Sequence, residues 1–75
     1  MSQPVLKANE LIKVLKNHGF KVVRQKGSHV RLRHADGRVT SVPIHSGQDI
    51  GKGLLRKILR DTELTLDDIF KGIEE

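Results

Sequence analysis

Gly27-Ser28-His29-Val30-Arg31-Leu32-Arg33 alternates small or apolar residues with cationic ones, and the fold is read outward from that alternation. In an extended chain successive side chains point to opposite faces. Ser28, Val30 and Leu32 therefore share one side of a strand, while His29, Arg31 and Arg33 share the other. The first side suits a hydrophobic core. The second carries an imidazole, the side-chain type that titrates near neutral pH, beside two guanidinium forks suited to phosphate. The pattern predicts a half-buried sheet whose open face receives an anion.

The flanking segments supply the rest of that sheet. Phe20 to Lys26 is rich in β-formers and leads through Gly27 into the featured strand, Ser28 to His34, as an antiparallel hairpin. Its inward parity conflicts with itself. Phe20 and Val22 share a side with Arg24 and Lys26, so either a bulge interrupts the strand or the core side gives out after Val22. Ala35-Asp36-Gly37-Arg38 contains an Asp-Gly turn signal, and Val39 to Ile44 follows as a third strand with Thr40, Val42 and Ile44 on one face. Pro43 cannot donate to a ladder, which assigns that end of the strand to an edge. The result is a three-stranded antiparallel meander.

Helical spacing appears on both sides of it. Ala8, Leu11, Ile12 and Leu15 predict a first helix over residues 8–18, stopped by Gly19, with His18 in its last turn in a capping role. His45 to Gly53 reads as a loop. A second helix is expected over 52–60, with Leu54, Leu55, Ile58 and Leu59 inward and Arg56, Lys57 and Arg60 outward. Thr65 and Asp68 form a capping-box-like start to a short third helix, whose Leu66, Ile69, Phe70 and Ile73 complete the core. The fold class is α+β in two layers, with the helices packed on one sheet face. No repeat, linker or low-complexity run interrupts it.

Seventy-five residues make a single small domain, 1–75, expected to be stable by only roughly 3–5 kcal/mol. The absence of cysteine removes disulfides and thiolate zinc sites and fits a reducing compartment. With no apolar run long enough for a signal peptide or a membrane span, the expected location is the cytoplasm and no membrane partner is implied. The net charge of +5 hides an asymmetry. Residues 1–60 hold 13 Lys and Arg against 3 acids, a net +10, whereas residues 61–75 hold 1 lysine against 6 acids, a net −5. The basic part suits nucleic acid. There is no Trp or Tyr, and Phe20 and Phe70 are assigned to the core, so bases find no aromatic platform. Recognition should rest on phosphates and shape, and weaken steeply with salt.

Cleaving RNA without a metal needs a base for the 2′-hydroxyl proton, cations for the charged phosphorane and an acid for the leaving oxygen. His29 can serve as the base. Arg31, Arg33, Arg24 and Lys26 can hold phosphate, and His45 is the best-placed second proton-transfer group. A plainer reading stays open, in which His29 is an exposed strand histidine among solubilising arginines. Ser28 is no nucleophilic partner for His29, because adjacent strand residues face opposite ways. The four histidines lack metal-site spacing and no carboxylates cluster near them. Gly51-Lys52-Gly53 either offers backbone N–H groups and the Lys52 ammonium to a phosphate or is a plain flexible start to a helix. It lacks the fingerprint of a dinucleotide site, so no cofactor is implied.

Gly19-Phe20, Arg24-Gln25-Lys26-Gly27-Ser28-His29, Val42-Pro43-Ile44-His45 and Gly53-Leu54-Leu55-Arg56-Lys57-Ile58-Leu59 together resemble the HicA toxin family, also known as YcfA-like mRNA interferases. The resemblance runs from about Leu11 to Leu59. It implies a double-stranded-RNA-binding-domain-like fold, α-β-β-β-α, an endoribonuclease that cleaves mRNA to arrest translation, and a HicB-type antitoxin that covers the active site. The catalytic histidine of the family falls on His29 and its other histidine motif on His45. Where such proteins often open helix 1 with a serine cap, this chain has Lys7-Ala8-Asn9, and Asn9 is expected to cap one residue later. The alternative to a nuclease is a non-catalytic module that binds RNA or an antitoxin. A structural domain with no nucleic-acid partner would leave the +10 block unexplained.

Overall fold

The structure, a computed structural model, describes residues 6–44 and 49–74, with side chains described through residue 71. Its elements are α1 (Ala8–Asn17), β1 (Phe20–Lys26), β2 (His29–His34), β3 (Val39–Pro43), α2 (Lys52–Thr62) and α3 (Leu66–Glu74). The α+β order expected from the sequence is present. The strands form one antiparallel sheet in the order β1-β2-β3.

α1 buries Ala8, Leu11, Ile12, Val14 and Leu15 against the sheet and α3, as its apolar spacing requires. It starts two residues earlier than an Asn9 cap would allow. The Glu10 carboxylate reaches back to accept from the Lys7 N–H at 3.1 Å, so Asn9 lies inside the first turn. At the other end His18 is the C-cap, and its N–H donates to the Val14 and Leu15 carbonyls, both at 3.1 Å. Gly19 then takes φ +96°, and a Cβ there would fall 2.7 Å from the His34 Nε2. Only glycine meets both demands.

The β1–β2 hairpin closes between Lys26 and His29, leaving Gly27 and Ser28 as a two-residue loop. Gly27 has φ +58° and Ser28 does not have positive φ, the combination a type II′ turn requires. Ser28 thus belongs to the turn, and β2 starts at His29. β3 stops at Pro43 for the reason its missing N–H suggests, although the Ile44 N–H still donates to the Ser28 carbonyl.

The parity conflict in β1 resolves as a bulge. Val22 pairs with Leu32, but the next paired residue is Arg24, opposite Arg31, which leaves Val23 as the extra residue. Inward positions across the sheet are then Val22, Leu32 and Thr40 in one row and Gln25, Val30 and Val42 in the next. Leu32 and Val42 are fully buried beneath the helices, with Phe20, Leu11, Leu15, Ile58 and Ile69 around them.

α2 runs two residues beyond the expected Arg60 because its last turn is held from outside. The buried Thr62 hydroxyl donates to the Ile58 carbonyl at 2.8 Å, the Thr62 carbonyl accepts from the Arg38 guanidinium, and Glu63 stops the helix at φ +60°. α3 opens with the expected reciprocal cap. The Thr65 N–H donates to Asp68 at 2.9 Å and the Asp68 N–H to the Thr65 hydroxyl at 3.1 Å. Leu66, expected in the core, is 47 % exposed at the start of α3, whereas Ile69 is fully buried.

Two hydrogen-bonded carboxylates, Asp36 and Asp68, make stability depend on pH. Hydrogen bonds from Arg38 hold the Asp36 carboxyl below its ordinary 3.8, and the Thr65 N–H and hydroxyl do the same for Asp68. A carboxyl whose folded pKa is depressed stabilises the fold above the unfolded pKa and loses that contribution as pH falls through the folded value. The thermal midpoint should therefore hold down to about pH 4 and decline below it. Asp36→Asn should shrink that decline in a calorimetric pH series, and a decline starting near neutrality would contradict the assignment.

Candidate functional site

No described helix covers the sheet's second face, and the bulge determines what stands on it. Residues opposite one another in an antiparallel pair lie on the same face. Its rows are accordingly Lys26, His29 and Pro43, then Arg24, Arg31 and Ser41, then Lys21, Arg33 and Val39. Had Val23 been paired as an ordinary strand residue instead of bulging, Arg24 and Lys26 would have shared the inner parity of Phe20 and Val22. The insertion shifts both to the open face.

Lys21, Arg24, Lys26, His29, Arg31 and Arg33 are all exposed there, and none of the paired positions in these rows is an Asp or Glu. The ion pairs among the described residues lie elsewhere. They join Lys7 to Asp49, Arg38 to Asp36 and Lys57 to Asp61. Five cations in rows that hold no Asp or Glu repel one another. An anion laid across them relieves that repulsion and gains charge-assisted hydrogen bonds.

The histidines separate by environment. His34 is part of the fold, with its ring edge-on to Phe20 at 5.1 Å between centroids and its Nδ1 accepting from the Asp36 N–H at 3.1 Å. Arg38 is committed beside it, its Nε–H shared between the two Asp36 carboxylate oxygens and its guanidinium 5.2 Å over the Phe20 ring. His18 caps α1 through its backbone, as described. His29 stands at the first position of β2, next to the tight turn and opposite Lys26. Cross-strand partners have Cβ atoms about 5 Å apart, so the imidazole and the ammonium can reach a single phosphodiester.

Of the residues singled out from sequence, Arg24, Lys26, His29, Arg31 and Arg33 come together on this face. Lys52 does not join them. It lines a groove of about 340 Å³ between α2 and α3 with Leu55, Arg56, Leu59 and Leu66. His45 lies outside the described residues. Lys21 was missed, since its partnership with Arg33 follows from the register beyond the bulge rather than from local alternation. Among the described residues no three His, Cys, Asp or Glu side chains converge to hold a metal ion. No described helix is long and apolar enough to cross a membrane.

A sequence model of the family described as HicA toxin of bacterial toxin-antitoxin matches residues 8–64, from the first residue of α1 to the segment just after α2. No curated protein matches the chain.

Proposed function

The chain belongs to the HicA toxin family, the toxin component of a toxin–antitoxin pair, and on that premise we propose that it is a metal-independent endoribonuclease cleaving mRNA, with residues 1–75 acting as one domain. The observation that carries the reading is the open face whose paired rows hold no Asp or Glu and set His29 and Lys26 across from each other at one end of a field of cations. The α-β-β-β-α order is also the one a double-stranded-RNA-binding-domain-like fold requires.

The chemistry uses the RNA's own nucleophile. The His29 imidazole accepts the 2′-hydroxyl proton as that oxygen bonds to phosphorus. Lys26, with Arg24 and Arg31 in the next row, stabilises the charge that builds on the phosphorane oxygens. The bond from phosphorus to the 5′-oxygen breaks, and that oxygen takes a proton from an acid, the role proposed for His45. The products are a 2′,3′-cyclic phosphate and a free 5′-hydroxyl. Family membership implies an antitoxin partner. A HicB-type antitoxin that covers the face would bring carboxylates to these rows and keep RNA from them.

The purified protein should cut single-stranded RNA in the presence of EDTA and leave cyclic-phosphate ends detectable by mass spectrometry. Cleavage that stops on chelation, or that leaves 5′-phosphate ends, would refute the mechanism.

A further inference from the structure

The open face has an order that a general affinity for RNA does not explain. Its charged rows are Lys26 with His29, Arg24 with Arg31, and Lys21 with Arg33, and they fall at every second residue of β2. At about 3.4 Å per residue the rows stand about 6.8 Å apart. That is close to the span of one nucleotide repeat along a sugar-phosphate chain. On β1 the spacing survives only because Val23 is taken up as the bulge.

Two further features give the array a width and a direction. The third strand contributes Val39, Ser41 and Pro43 to the same rows, none of them charged, so the cationic track is only β1 and β2 wide. One phosphate backbone fits such a track. A duplex groove would present a second backbone over β3, where nothing cationic receives it. The His29 row is also terminal, because β1 and β2 end there in the Gly27-Ser28 turn. Within these two strands, every other charged row lies on one side of His29.

We infer that the face is a three-step phosphate ladder for one strand of RNA laid along β2, with the cleaved linkage at the His29 step and two held phosphates on one side of the cut. This rests on the proposed nuclease reading for the identity of the cleaved step. The ladder itself is a statement about binding and can be tested without cleavage.

The test uses uncleavable 2′-O-methyl oligonucleotides from two to seven residues, titrated at several salt concentrations. Each phosphate that finds a row should steepen the slope of log affinity against log salt by about 0.7. The slope should grow to about 2 at three phosphates and stay flat in longer strands. Lys21→Ala combined with Arg33→Ala, at exposed positions, should move the plateau to two phosphates while circular dichroism remains unchanged. A slope that keeps rising with length, a double variant with an unmoved plateau, or a short RNA duplex that binds more tightly than the single strand would each overturn the ladder. Cleavable strands holding three phosphates then locate the cut, which is expected at a terminal linkage. A cut at the central linkage would overturn the one-sided arrangement. No cleavage at all, with the plateau intact, would sink the nuclease reading and leave the ladder standing.

Discussion

His29→Ala should lower the rate of RNA cleavage by about 10²–10⁴, the usual contribution of a positioned proton-transfer group, while changing RNA affinity little. The asymmetry follows from the face. Five cations remain to hold phosphate, and the lost group is exposed at the start of β2, so neither binding nor folding depends on it. Its kinetic signature is a fall in kcat with KM nearly constant. His29→Arg sharpens the test. An arginine restores positive charge at the row opposite Lys26 but cannot take up a proton, since guanidinium stays charged at any working pH. That variant should bind RNA at least as tightly as the natural chain and still fail to cut. If it cuts normally, His29 serves only as a cation and the protein's chemistry lies elsewhere. If His29→Ala loses binding and cleavage together, the histidine is a contact residue of a binding module.

What the sequence disclosed about this site depended on how far each signal reached. The alternation from His29 to Arg33 is local, and it assigned Val30 and Leu32 inward and the histidine and two arginines outward as the structure has them. The caps at Thr65 and Asp68 and the stop at Gly19 were legible for the same reason, each needing only neighbours a few residues away. β1 was not. Its parity conflict was visible, but choosing between a bulge and a fading core side requires knowing that Arg24 faces Arg31, a contact fixed by the hairpin loop on one side and Phe20 on the other. Lys21 joined the site only through that register. The end of α2 was equally remote, because Thr62 is held by Arg38 from the β2–β3 turn. Leu66 has the periodicity of a core residue, yet it stands 47 % exposed at the edge of the groove between α2 and α3, where no third described element covers it.

Leu32→Ala should unfold most of the protein at room temperature. Leu32 is fully buried on the central strand, between Val22 and Thr40 in its row, and replacing such a leucine with alanine costs about 2–5 kcal/mol. A domain of this size has roughly 3–5 kcal/mol in total. A urea titration should therefore find a midpoint near zero denaturant for Leu32→Ala, while Leu32→Met, which conserves volume, loses less than about 1.5 kcal/mol. A shift below about 1 kcal/mol for the alanine variant would mean that the inner face of β2 is not the core. The same variant links core to function, because its defect lies on one side of β2 and the cations lie on the other. A ligand that binds only the folded form at one hundred times its Kd adds about 2.7 kcal/mol. A short uncleavable RNA held on the open face should accordingly restore most of the folded signal to Leu32→Ala. It should do so far less when Arg31 and Arg33 are also replaced by alanine, since those side chains flank Leu32 in sequence yet stand exposed on the opposite face.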